Sequence, residues 1–183
     1  KDKPDRVIFS PWEDIDFEGR FIRADFRNLS VISIYIPSGS SKQERQDYKM
    51  NFMIERFMPY LKKLQEDGRQ YIVCGDINIV HKEIDIKNFA SNKNHSGCLP
   101  EERAWMEQLF TEAKFIDAFR EVNQEKHQYT WWSNRGQAWA NNTGWRIDYQ
   151  ILSANLKDTP QRVEIYKNDR FSDHSPLIID YNL

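Results

Sequence analysis

Four consecutive apolar residues, Tyr71-Ile72-Val73-Cys74, constrain this chain more than any other feature. The run is short and offers no polar position to turn toward water, so it reads as a strand buried on both faces. A strand of that kind needs cover on each side, and the order strands, helix, strand, helix, strands along the chain suggests an α/β sandwich in which helices cover sheet faces. The run also delivers Gly75-Asp76-Ile77-Asn78 to the strand's C-terminal end. On extended backbone Asp76 and Asn78 point the same way, and their oxygens are of the kind that hard cations prefer. Gly, Asp and Asn also favour turns, so the motif alone leaves a plain turn open.

The flanking segments extend this pattern. Arg20 to Phe26 alternates as a half-buried strand does, Asn28-Leu29 reads as a hairpin turn, and Ser30 to Ile36 is a β-branched strand ended by Pro37-Ser38-Gly39. Lys42 to Glu66 carries Tyr48, Phe52, Phe57, Tyr60, Leu61 and Leu64 at helical spacing. Pro59 is expected to kink or split that helix, and Asp67-Gly68 to close it. The polar stretch from His81 to Gly97 is expected to be a long surface loop. Pro100-Glu101-Glu102 opens another helix, with acids in the first turn where the dipole favours them and a stripe of Trp105, Met106, Leu109 and Phe110. Tyr129–Trp132, Trp145–Leu152, Arg162–Tyr166 and Leu177–Tyr181 read as four further strands.

Composition narrows the classes. At 183 residues and 39% hydrophobic, residues 1–183 are expected to form a single domain with a sizeable core. No apolar run reaches the ~20 residues of a membrane helix, so no membrane partner is expected. Two cysteines, Cys74 and Cys98, are too few for a disulfide framework and point to a reducing setting. The formal net charge of −2 argues against a protein held on DNA by bulk charge. It leaves room for a phosphodiester enzyme whose metal-binding carboxylates offset its basic loops.

Two more motifs carry chemistry. Ser172-Asp173-His174-Ser175-Pro176 sets an acid beside a neutral-pH proton carrier, just before the last strand. In Gly144-Trp145-Arg146-Ile147-Asp148-Tyr149, Asp148 interrupts an apolar strand pattern and is costly to bury without a partner. His174 is a natural partner, because a carboxylate behind an imidazole fixes its tautomer. The alternative, with Asp148 facing solvent beside Arg146, is equally allowed by strand alternation. A zinc site from Cys74, His81, His95 and Cys98 is disfavoured by spacing, and no Gly-x-Ser-x-Gly elbow occurs.

In order and spacing, Gly75-Asp76-Ile77-Asn78, Trp145-Arg146-Ile147-Asp148-Tyr149 and Ser172-Asp173-His174 resemble the exonuclease III family of abasic-site (AP) endonucleases, within the endonuclease/exonuclease/phosphatase superfamily. Ser33-Ile34-Tyr35-Ile36-Pro37-Ser38-Gly39 is similar to the family's tyrosine motif, and Glu18-Gly19-Arg20 with Asp25 to the hairpin ahead of it. The stretch His81 to Asn88 and the helix start Leu99 to Arg103 also resemble family segments. The resemblance implies a four-layered α/β sandwich of two packed, mainly antiparallel sheets flanked by helices. Members begin with strands bearing an asparagine and a metal-binding glutamate. Neither motif is present, so the chain is expected to be a C-terminal portion, incomplete at the N-terminus and feeble in activity by itself.

By the same resemblance the expected function is a DNA-repair nuclease. It hydrolyses the phosphodiester 5′ to an abasic site to leave a 3′-hydroxyl, with 3′–5′ exonuclease and 3′-phosphodiesterase activity besides. Tyr35, Asp76, Asn78, Asp148 and His174 are the implied catalytic set. Asp76 activates water, Asn78 orients it or the phosphate, and His174 (held by Asp148) and Tyr35 donate to phosphate oxygens. Mg²⁺, or Mn²⁺ in its place, would be held by Asp76, Asn78, Asp173 and His174. Trp131, Trp145 and Ile147 are expected to admit the small abasic sugar, and Asn92, Lys93, Asn94 and His95, with Lys42 and Arg45, to contact phosphates. The partner is double-stranded DNA with abasic sites or 3′ ends. The complete protein is expected to be monomeric and cytoplasmic (nucleoid-associated) or nuclear. Competing expectations are a superfamily phosphodiesterase or phosphatase acting on RNA, lipid or inositol head groups, and an inactive DNA-binding remnant.

Overall fold

The computed structural model describes residues 2–12 and 19–183. Glu18, named above with the first hairpin, lies outside the described residues. A six-stranded mixed sheet forms the frame: β1 (Arg6–Ile8), β2 (Phe21–Phe26), β3 (Leu29–Tyr35), β4 (Gln70–Asp76), β5 (Ile116–Asp117) and β8 (Asp148–Leu152), in the order β1-β2-β3-β4-β8-β5. Only β3 and β4 pair in parallel; the other neighbours are antiparallel. A parallel pair needs a crossover, supplied here by α1 (Gln43–Phe52) and α2 (Met58–Glu66). One turn of π-helix, Met53–Phe57, joins them, with Pro59 in the first turn of α2. Pro59 has no N–H to give the carbonyl four residues back, and the chain widens there instead of breaking.

Strand alternation sends the two faces of the sheet to different partners. Ile32, Ile34, Tyr71, Val73, Tyr149 and Ile151 pack with Phe52, Phe57, Leu61 and Leu64 of the crossover, and with Trp105, Met106 and Leu109 of α4 (Pro100–Thr111). Ile72 and Leu152 point the other way, against Ala118 of α5 (Ala118–Val122), Leu156, and Ile179 and Tyr181. The last two belong to an antiparallel hairpin of β9 (Pro160–Ile165) and β10 (Leu177–Tyr181). The Tyr71–Val73 run is therefore covered on both sides, as expected, and the mixed α/β class with mainly antiparallel pairing stands.

Two details differ from expectation. His81 to Gly97 is a surface loop only in part: it contains a 3₁₀ turn, Glu83–Asp85, and a short helix, α3 (Phe89–Asn92), and it buries His81, Asp85 and Ile86. Polar composition misled there because Asp85 is buried between Arg146 and Arg120, both at 2.7 Å, so its charge is satisfied inside the protein. Trp145–Leu152 is also two strands. A short ribbon of β6 (Trp131–Trp132) and β7 (Gly144–Trp145) ends at Trp145, and the main sheet resumes at Asp148. Between them the N–H groups of Ile147 and Asp148 both donate to Thr130 Oγ1 at 3.1 Å, a side chain standing in for a strand partner.

Candidate active site

Three strands of the main sheet bring their polar ends together. Tyr35 is the register partner of Asp76 across β3 and β4, and Asp76 that of Asp148 across β4 and β8. The close approach of β3 to β4 depends on Gly75, where a Cβ would stand 1.9 Å from the Ile34 carbonyl oxygen at a φ of +142°. Two residues beyond Asp76, Asn78 takes a left-handed φ of +56°, which Asn tolerates better than most side chains. That turn folds it back on Asp76: the Asn78 N–H donates to Oδ1 and its Nδ2 to Oδ2, each at 2.8 Å. Nδ2 also donates to the Ile36 carbonyl at 3.0 Å, tying the pair to the end of β3.

The opposite half comes from the C-terminal segment. The Trp132 N–H donates to the Asp173 carbonyl at 2.9 Å and the Ser175 N–H to the Thr130 carbonyl at 2.8 Å. Those bonds fasten residues 173–175 along β6 and set His174 Nδ1 at 2.9 Å from Asp148 Oδ2. The solvent-facing alternative for Asp148 is thereby removed: Arg146 is fully buried and reaches Asp85 at 2.7 Å and Asp117 at 2.6 Å, while Asp148 turns to the imidazole. One ligand-capable atom each from Asp76, Asp148 and His174 lies within 4.8 Å of the others. Among the described residues this is the one such group of three His, Cys, Asp or Glu side chains. Cys74, His81, His95 and Cys98 do not gather as zinc would require, and His81 is paired with Glu107 at 2.7 Å.

The electrostatics follow from this crowding. Burial, and then the facing Asp148 carboxylate, push the Asp76 carboxyl up to about 7, against the opposing pull of His174, the Asn78 N–H and Lys49. Burial disfavours the charged form of His174, but its hydrogen bond to Asp148 and the charges of Asp148, Asp76 and Asp173 outweigh that, and its pKa rises. Two facing carboxylates beside an imidazole form a site short of positive charge, which a proton or a cation relieves. Oxygen donors from two carboxylates suit Mg²⁺ or Mn²⁺, which keep much of their water shell.

Above the cluster opens a cavity of about 810 Å³ lined by Tyr35, Asp76, Asn78 and His174, by Trp131, Trp145 and Ile147, and by Asn92, Asn94 and His95. Trp131 and Trp145 meet edge to face, with ring centroids 5.9 Å apart and planes at 86°. Lys42 also lines the cavity, whereas Arg45 sets its guanidinium over the Tyr48 ring. Asp173 stands apart from the carboxylate cluster. Its Oδ2 accepts from Trp131 Nε1 at 3.0 Å and so steadies the indole.

Residues 5–174 match the model of the Endonuclease/Exonuclease/phosphatase family. The chain belongs to that family. It is 37% identical over 185 residues to an exodeoxyribonuclease of Bacillus subtilis, a match covering 100% of this chain and 72% of that protein. It is 38% identical over 169 residues to the DNA repair nuclease APEX1 of Danio rerio, covering 91% of this chain and 53% of that one. Among solved structures, an AP endonuclease from Archaeoglobus fulgidus superposes with a TM-score of 0.88 at 26% identity, over 99% of this chain and 72% of that chain. The Neisseria 3′ phosphatase NExo, bound to a product DNA hairpin, matches in fold with a TM-score of 0.87 at 22% identity, over 98% of this chain and 72% of that chain. The chain thus spans about half the length of one curated relative and more of the other. Both curated relatives are named as nucleases, one of them as a DNA repair nuclease.

Several residues that build the site carry no motif that marks them in the sequence. Thr130 positions the Ile147-Asp148 backbone, and Asp85 anchors Arg146 and through it the chain leading to Asp148. Lys49 and Glu102 are wholly buried, paired at 2.6 Å. Their signal was available: Lys49 sits three residues before Phe52 and four before Met53, and Glu102 three before Trp105, so each charge occupies an apolar stripe.

Proposed function

We propose that this chain carries the catalytic centre of a Mg²⁺- or Mn²⁺-dependent DNA-repair nuclease that hydrolyses the phosphodiester 5′ to an abasic site. The observation that carries the reading is that Asp76 and His174, clustered with Asp148, open into a cavity walled by Trp131, Trp145 and Ile147. Phosphoryl transfer requires an activated nucleophile, neutralised phosphate oxygens and a stabilised leaving oxygen. Asp76, held by both donors of Asn78, orients a water and takes its proton. His174, kept in one tautomer and made more basic by Asp148, donates to a phosphate oxygen. The hydroxyl of Tyr35, exposed at the cavity edge, donates to another. A divalent cation held by the carboxylate cluster would supply charge neutralisation at the phosphate.

The two tryptophans and Ile147 suit a deoxyribose without its base, because an apolar recess excludes an intact nucleotide by size. Asn94, His95 and Lys42 line the same cavity and offer donors to flanking phosphates, whereas Asn92 Nδ2 already donates to the Asn88 carbonyl at 2.9 Å. The test is cleavage by the full-length protein of an abasic duplex, the undamaged duplex, RNA and an aryl phosphodiester, with and without Mg²⁺. Incision of the abasic strand alone, and only with metal, is expected. Equal turnover of the aryl ester or RNA would make this a different phosphodiesterase of the same superfamily.

A further inference from the structure

One wall of the cavity, at Gln46, Ser96 and Gly97, rests on a buried ion pair. Lys49 on α1 and Glu102 at the start of α4 have no exposed side-chain surface and meet at 2.6 Å. Each has other partners that belong to the site. Lys49 Nζ donates to the Asn78 carbonyl at 2.9 Å, at the residue whose left-handed turn lets it grip Asp76. Glu102 Oε2 accepts from the N–H groups of Gly97 at 2.6 Å and Leu99 at 3.0 Å. Gln46 completes the net, donating to Glu102 Oε1 at 3.0 Å and accepting from the Ser96 hydroxyl at 2.7 Å. Gly97 itself lies against the site: a Cβ there would stand 3.0 Å from the Asn78 carbonyl oxygen and 3.1 Å from the Trp145 ring.

Burying two charges is a poor way to gain stability, since apolar residues of equal volume often do as well. A pair retained in such a place is best explained by what it orients. We infer that Lys49 and Glu102 are positioning residues for the nuclease centre. Lys49 holds the Asn78 turn, and with it the Asp76 carboxylate. Glu102 and Gln46 hold the Ser96-Gly97 strip and the Asn92–His95 segment that precedes it. The inference deepens the function proposed above and rests on it. It separates two effects: loss of Lys49 acts on the chemical step through Asn78, and loss of Gln46 acts on substrate capture through Ser96.

The test uses the full-length protein. Lys49→Met with Glu102→Gln removes both charges at nearly constant volume and leaves an oxygen to accept from Gly97 and Leu99. The double variant is expected to fold, to lose tenfold or more in kcat with KM within twofold, and to exchange its Asn78 and Gly97 amide protons faster. Gln46→Met leaves the ion pair intact and cuts its link to Ser96. It is expected to raise KM several-fold with kcat within twofold, and it decides the question if the double variant does not fold. Amide exchange is read without substrate. An inactive wild-type protein therefore defeats the nuclease reading, whereas unchanged exchange or unchanged kcat in the folded double variant overturns this inference alone. Unchanged KM in Gln46→Met overturns it equally.

Discussion

Asp76 and Asp148 face one another as register partners across the antiparallel β4–β8 pair. Two carboxylates at opposed positions repel unless a proton or a cation lies between them. This chain places His174 beside both, so the end of the sheet holds a titratable cluster built to accept positive charge.

The first consequence concerns metal uptake. Without a cation, Asp76 binds its proton up to about pH 7, and cation binding must displace that proton. Mg²⁺ affinity is expected to rise with pH through neutrality, by about tenfold between pH 6 and pH 8 for release of one proton. Calorimetric titration at the two pH values, in buffers of different ionisation enthalpy, measures both the affinity and the proton count. Equal affinity with no proton released would remove Asp76 from the cation site.

Asp76→Asn removes the proposed base and leaves an acceptor for one of the two Asn78 donors. General-base loss typically costs about 10²–10⁴ in rate, so single-turnover incision of an abasic duplex should fall by that order. Binding of the same duplex should be preserved, because the proposed phosphate contacts come from other residues, Asn94, His95 and Lys42. Parallel loss of binding and cleavage would show Asp76 to be structural.

Trp145→Ala separates pocket from core. The indole is half-buried, edge-on to Trp131 and lining the cavity. Its removal is expected to cost about 1–2 kcal/mol of stability, a common range for single substitutions. Incision at abasic sites should drop far more, about a hundredfold if the recess positions the sugar. A variant that melts early yet incises normally per folded molecule would assign Trp145 to the core.

Asp85 predicts acid behaviour. Burial alone would raise its carboxyl, but Arg146 and then Arg120 overrule it and hold it at about 2. A carboxyl lower in the folded than the unfolded chain adds stability that is fully present above the unfolded pKa of about 3.9 and is lost as pH falls toward the folded one. Asp85→Ala should destabilise by about 3–5 kcal/mol, because Arg146 is left buried with half its partners. It should also flatten the decline of stability between about pH 4 and pH 2. Urea unfolding across that range tests both effects, and an unchanged slope would dissociate Asp85 from acid lability.

Much of this protein was determined by local sequence. The continuous apolar run at Tyr71–Val73, the alternation from Phe21 to Phe26 and the helical spacing before Pro59 each depend on neighbours within a few residues, so they declare their elements directly. The Gly75-Asp76-Ile77-Asn78 motif is visible in the same way, but that its glycine is needed where β4 meets the Ile34 carbonyl emerges only in the fold. Tertiary structure alone decided the partners. Whether Asp148 faced water or His174 could not be read from alternation, which constrains the face of a strand but not what lies across it. Arg146 settled the matter by turning inward to Asp85 and Asp117, from segments 61 and 29 residues away. For Glu102 the apolar stripe signals the face, but its partner is again a tertiary matter. It is buried because Lys49, 53 residues earlier, arrives at the same point in space. Burial of a charge is decided by its counter-charge, and counter-charges come together only when the chain has folded.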